Sequence, residues 1–196
     1  LSDWGRFYKV INAACVFMEN ASRVLEKDKA YSETTYNYDM AQARGLRALA
    51  YYYMSLIWGD VPLITESYDN GTFPQFARTD QATVLRYVKS EMEIVAEELP
   101  FELGKTNDRY YGRIPSEWAG VLMNRLSAYS VLAHLSAWQG NYVETYSYAN
   151  YILNNALKAS ADYLSVSELT KSEGVFSTNF NVNKRGARLV AFVYRY

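Results

Sequence analysis

Apolar residues recur along most of this chain at the three- to four-residue spacing that lines one face of an α-helix. From 3 to 27, Trp4, Tyr8, Ile11, Cys15, Met18 and Leu25 make one stripe. From 35 to 58, Ala43, Leu46, Ala50, Tyr53 and Ile57 repeat, and Leu49, Met54 and Leu56 widen the stripe until little polar face remains. The second half of that helix is therefore expected to be buried on most sides. From 79 to 99, Val84, Val88, Met92, Val95 and Leu99 face inward, while Arg86, Lys89, Glu93 and Glu97 face water. A fourth helix is predicted over 116–138 through Ala119, Leu122, Leu126, Tyr129 and Ala133, and a fifth over 142–157 through Tyr146, Ala149, Leu153 and Ala156.

The punctuation agrees with these bounds. Pro62, Pro74, Pro100 and Pro115 all fall between the predicted helices, where a missing N–H breaks no helical bond. Gly59 can end the second helix and Ser116 can cap the fourth. Gln139-Gly140-Asn141 leaves just enough chain to reverse direction, which predicts an antiparallel hairpin of helices. Gly45 and Gly120 fall inside predicted helices, where glycine costs about 1 kcal/mol against alanine. Close approach of neighbouring backbones would explain their use. Segments 63–78 and 101–113 are long connections rich in Asn, Asp, Gly and aromatics. Around Asn183-Lys184-Arg185-Gly186, the runs 175–182 and 188–194 read as a small β-hairpin over 175–194. The predicted class is mostly all-α, antiparallel helix pairs of tetratricopeptide-like type with that C-terminal hairpin. The strand-like ending at Tyr196, and a first residue Leu1 already inside a helical pattern, predict a fragment of a longer protein.

RALAYYYMSLIWGDVPLI, from Arg47 to Ile64, carries a more specific pattern: an Arg-Ala helix, a run of aromatics, then Trp58-Gly59-Asp60-Val61-Pro62-Leu63. It resembles the N-terminal helical region of the SusD/RagB family, surface nutrient-binding lipoproteins of Bacteroidetes. Trp4, Tyr8 and Ile11 match the opening helix, Arg78-Thr79 precedes a helix closing in Glu98-Leu99-Pro100, and Gly112-Arg113 opens a helix-pair repeat. Glu173-Gly174-Val175-Phe176 resembles the strand entry that follows. Cys15 departs from the Asn common at its place, and Pro115 from a small or basic residue. The resemblance implies a single SusD-like helical domain over 1–196 and a glycan or nutrient ligand. It further implies a SusC-like TonB-dependent transporter as partner, and an outer-membrane, surface-exposed setting through a lipid anchor outside this chain. Family members are longer, and their C-terminal half supplies much of the ligand site.

Composition narrows the chemistry. A hydrophobic content of 49% supports a packed core, and a formal charge of -1 gives no long-range attraction for nucleic acid or an anionic membrane. One cysteine and one histidine do not make a Cys/His zinc site, and no cofactor or metal is expected. Gly104-Lys105-Thr106 imitates the end of a P-loop, but Leu99 stands at the required upstream glycine and a helix precedes it. His134 has no Ser or Cys nucleophile at a recognisable motif. Glu97-Glu98 and Glu91/Glu93 are spaced so that they point to different helix faces, which suits a solvated acidic surface better than a glycosidase pair. Cys15 reads as a small core residue.

The count of 19 tyrosines points the other way, towards recognition, because Tyr offers an apolar face and a polar tip. Sugar binding needs aromatic faces ringed by polar groups. The connection Tyr68-Asp69-Asn70-Gly71-Thr72-Phe73-Pro74-Gln75-Phe76 has that mixture, as does Asn107-Asp108-Arg109-Tyr110-Tyr111. Trp4, Tyr68, Asn70, Phe73, Phe76, Tyr110 and Tyr111 are the candidate ligand-binding residues, with packing of the loops onto the helices as the competing account. The sequence thus reads as a non-catalytic binding protein. A helical-repeat scaffold for protein–protein interaction is the alternative.

Overall fold

The structure, a computed structural model, describes residues 3–68, 74–105 and 110–159. Among them the helices are α1 (Gly5–Lys27), α2 (Glu33–Trp58), α3 (Gln81–Glu98), the one-turn α4 (Pro115–Trp118), α5 (Arg125–Trp138) and α6 (Tyr142–Asn155). Short 3₁₀ turns occupy Tyr110–Gly112 and Ala156–Ala159. The hairpin expected over 175–194 lies outside the described residues.

Side-chain caps fix where the helices begin. The Ser32 hydroxyl accepts from Thr35 N at 3.1 Å, the Asp80 carboxylate from Thr83 N at 2.9 Å and the Asn124 amide oxygen from Ser127 N at 2.9 Å. Each satisfies one of the amides that a first helical turn leaves without a partner. In space α1 packs on α2, α2 on α3, α3 on α5 and α5 on α6, so paired helices fold back on one another in sequence order. The core runs along α2 and α3. Val84, Val88, Met92, Val95 and Leu99 are all fully buried, on the face their spacing predicted.

The continuous helix expected over 116–138 is instead two. Gly120 is not helical but turns the chain at φ 71°, and Asn124 rather than Ser116 caps the longer piece. The physical cause is a clamp from α2. The Gln42 side chain donates to Met123 O at 2.7 Å and accepts from Met123 N at 3.1 Å, so the Met123 backbone turns towards α2. Met123 then fills the gap over Gly45, where a Cβ would stand 2.6 Å from its sulfur. Gly45 therefore makes room for side chains of Met123 and Val95 rather than for the neighbouring backbone its place in a helix suggested.

Two stripes point elsewhere than their periodicity suggested. Leu46, Tyr53 and Ile57 of α2 are exposed, whereas Ala41, Ala48, Tyr51 and Met54 are buried. A helix apolar all round has no single stripe, and its position between α1 and α3 chooses the buried sides. Tyr146 at 71% and Leu153 at 56% exposure are not covered by α5, and α6 is the last of the row among the described helices.

Glu91 also corrects the picture of a solvated acidic face. It is buried, accepts from Arg44 Nη1 at 3.0 Å and from Arg47 Nη2 at 2.9 Å, and ties α2 to α3. Lys89, expected in water, bonds both carboxylate oxygens of Glu144 on α6 at 2.7 and 2.8 Å. These pairs differ in solvent access. Glu91→Ala should lose about 3–5 kcal/mol of stability by stranding the buried Arg47 and the partly buried Arg44, whereas Glu144→Gln, in a half-exposed pair, should lose no more than about 1 kcal/mol. Urea unfolding of the two variants checks this. Equal losses would show that burial does not separate the two pairs.

Candidate functional site

At Gly59 (φ 71°) α2 stops, and the chain leaves it to cross the α1–α2 surface as an extended strap. Val61 forms a bridge with Thr79, its N–H donating at 3.2 Å and its carbonyl accepting at 3.0 Å. Beyond that bridge the strap finds its partners on helix side chains. Tyr8 Oη donates to Pro62 O at 2.7 Å. Tyr51 Oη donates to Ile64 O and accepts from Ile64 N, both at 2.8 Å. Arg47 Nη1 donates to Thr65 O at 3.0 Å, and also reaches Cys15 Sγ at 3.4 Å. Glu19 accepts from Ser67 N at 2.7 Å and from Ser67 Oγ at 2.5 Å, and Asn12 Oδ1 accepts from Tyr68 N at 3.0 Å. The two Ser67 bonds hold the Glu19 carboxyl below its ordinary range. Burial pushes the Tyr8 hydroxyl up to about 12.

Between the strap and the start of α1 lies a cleft of about 510 Å³, walled by Trp4, Tyr8, Pro62 and Ile64 on one side and by Pro74, Gln75 and Phe76 on the other. A second cavity of about 260 Å³ shares Tyr8 and Ile64 with it and continues past Lys9, Asn12, Glu66 and Tyr68. The rings are held by other rings. Trp4 meets Trp58 edge-on at 6.1 Å and Tyr8 at 6.4 Å, while Phe7 packs on Trp58 at 5.6 Å. The guanidinium of Arg78 lies over Trp4 at 4.9 Å. Tyr68 and Phe76 meet at 5.4 Å. Aromatic faces with Gln75, Asn12, Lys9 and Glu66 at the edges match the apolar face and polar rim of a pyranose.

The candidate residues separate into two groups. Trp4, Tyr68 and Phe76 come together here, while Asn70 and Phe73 fall outside the described residues. Tyr110 and Tyr111 belong to a different cluster, in which the hydroxyls of Tyr31, Tyr110 and Tyr111 all donate to the Asp39 carboxylate. Tyr110 is buried against Trp118 and Tyr38. Tyr111 is exposed, in the left-handed region at φ 50° and ψ 38°, and borders an apolar trough of about 430 Å³ with Val10, Phe17 and Leu46. Tyr8 and Gln75 line the cleft and Arg78 stacks on Trp4, and sequence reasoning named none of the three as a site group. Tyr8 looked like any other stripe residue, and only the fold shows Arg78 reaching Trp4.

Of the residues weighed for catalysis, His134, Glu97 and Glu98 are exposed on their helices, away from the cleft lining. Glu93 accepts from Tyr148 Oη at 3.2 Å. Among the described residues no group of three or more His, Cys, Asp or Glu is placed to hold a metal ion.

No protein-family model matches the chain. A SusD-like protein, P25, from Formosa agariphila is 26% identical over 183 residues, which cover 93% of this chain and 32% of that protein. The crystal structure of a SusD superfamily protein from Bacteroides thetaiotaomicron superposes with a TM-score of 0.87 at 52% identity, covering 97% of this chain and 41% of that one. A SusD-like carbohydrate-binding protein from Bacteroides fragilis shares the fold at a TM-score of 0.65 and 22% identity, over 85% of this chain and 29% of its own. The chain therefore spans well under half the length of the proteins it matches. The resemblance carried by Arg47 to Ile64 extends through the helical fold.

Tyr51→Phe tests how the cleft is held. It leaves Ile64 N–H and C=O unpaired in a buried place, which should cost about 1–3 kcal/mol and raise amide exchange at Ile64 above that of the α3 core. Unchanged exchange at Ile64 would mean that Tyr51 does not anchor the strap.

Proposed function

We propose, on the premise that this chain is SusD-like in sequence and in fold, that it forms a helical domain of a non-catalytic glycan- or nutrient-binding protein. That protein would serve an outer-membrane uptake system with a SusC-like TonB-dependent transporter. The observation that carries the reading is the cleft at Trp4, Tyr8 and Phe76, with Tyr68 beside it. Its rings are fixed by packing and its strap by side-chain bonds, so little ordering remains to oppose binding. The carbohydrate-binding role named for the Bacteroides fragilis protein supports the same ligand class.

The non-catalytic part of the reading rests on the chemistry of the lining. Glycoside hydrolysis uses two carboxylates across one bond, and among the described residues lining the two cavities Glu66 is the carboxylate present. In this reading the protein sits at the cell surface, held by a lipid anchor outside this chain, as the resemblance implies. No described helix is long and apolar enough to cross a membrane. The exposed faces of α2 and α6, with Tyr53, Ile57, Tyr142, Val143 and Tyr146, are apolar surface of the kind that takes a protein partner, and in this reading one of them meets the transporter.

Calorimetric titration of the full-length protein against a panel of neutral and acidic oligosaccharides tests the ligand. Trp4→Ala and Phe76→Ala should each weaken binding about tenfold or more, as loss of a central aromatic anchor does, while Tyr146→Ala on α6 should leave glycan affinity unchanged. Affinity purification of the tagged protein from its own membranes should recover a TonB-dependent transporter. A panel without a binder, or binding indifferent to Trp4 and Phe76, removes the reading of this cleft.

A further inference from the structure

Among the described residues the lining of the larger cavity carries no charge, yet a cation lies against one of its rings. The seven residues lining the larger cavity, from Trp4 to Phe76, are aromatic, aliphatic, prolyl or amide side chains. Arg78 lies with its guanidinium 4.9 Å from the centre of the Trp4 ring. Its backbone is fixed by the neighbouring Thr79–Val61 bridge. Among the described residues no carboxylate pairs with it and no carbonyl accepts from it, and the residue is exposed. The smaller cavity is lined by one cation, Lys9, and one carboxylate, Glu66. Among the described residues Arg78 is thus a cation without a paired carboxylate that rests on a ring of the cleft.

A guanidinium on a tryptophan face bears on which sugars the site takes. A neutral pyranose seeking that face of Trp4 meets the guanidinium already there. A sugar carrying an anion gains from the same arrangement, because the flat fork of an arginine offers paired N–H donors to a carboxylate or sulfate. Stacking on Trp4 holds the fork in one plane at the moment of binding, and the exposed cation–π contact itself is weak enough, about 0.5–1 kcal/mol, to let the group adjust. Resting on the carbohydrate reading above, we infer that the ligand is an acidic saccharide, with its carboxylate or sulfate on Arg78 and a sugar ring against the aromatic wall of Trp4, Tyr8 and Phe76. Arg78 is the specificity determinant of this site.

The test uses the full-length protein and two matched pairs: an oligogalacturonate with its carboxyl-reduced counterpart, and a sulfated galactan oligosaccharide with its desulfated form. At least one charged member should bind about tenfold more tightly than its neutral partner, as charge-assisted hydrogen bonds of ordinary strength provide. Which charged member it is tells carboxylate from sulfate. Arg78→Met should erase that preference, Arg78→Lys should restore part of it, and raising salt should narrow it in the unaltered protein but not in Arg78→Met. Equal binding within both pairs, or a preference that survives Arg78→Met, overturns the acidic assignment. If neutral members nevertheless bind in a Trp4-dependent way, the carbohydrate reading stands without it. Absence of binding by all four ligands overturns the acidic assignment, and the wider panel then decides the carbohydrate reading separately.

Discussion

Extended backbone that crosses a helical surface has to find hydrogen-bond partners for its amides and carbonyls, and here nearly everything near the cleft follows from how that is done. Residues 61 to 68 have one bridge, at Val61, and no sheet to complete the rest. Tyr8, Asn12, Glu19, Arg47 and Tyr51 supply the remaining contacts, each from a helix that is itself in the core or at its edge. An unpaired buried peptide group costs about 1–3 kcal/mol, so these side chains decide where the strap lies as well as whether it stays. The cleft inherits that placement, since Pro62 and Ile64 are two of its walls.

Arg47 links this arrangement to the rest of the fold. One of its terminal nitrogens holds Thr65 and the other holds Glu91, so a single side chain joins the strap, α2 and α3. Burying charge is expensive, and a buried ion pair is weak evidence for stability by itself. Its value here is positional. An aliphatic replacement could fill the space, but it would offer Thr65 O no donor.

Aromatic residues do two kinds of work in the same molecule. Tyr51 and Tyr110 are buried and spend their hydroxyls on Ile64 and Asp39, so they are structural polar groups with large apolar bodies. Trp4 and Phe76 instead leave faces lining a cavity, braced from behind by Trp58 and Tyr68. The abundance of tyrosine that suggested recognition is therefore accounted for in good part by packing. The proposed recognition surface is smaller and draws on tryptophan, phenylalanine and arginine.

Local rules were enough to read the paired helices, the stop at Trp58-Gly59, the inward face of α3 and the reversal at Gln139-Gly140-Asn141, because helical period and turn chemistry act over a few residues. They were also enough to mark Trp4, Tyr68 and Phe76 as worth watching. What they left open depends on contacts between residues far apart in sequence, such as Arg47 with Glu91, 44 positions apart, and Gln42 with Met123, 81 apart. The break before α5, the solvent-facing stripes of α2 and α6, and the separation of Tyr110 and Tyr111 from Trp4 were settled only when helices took neighbours. Periodicity says which residues share a face, and the packing of one helix against the next decides which faces are covered and which side chains meet.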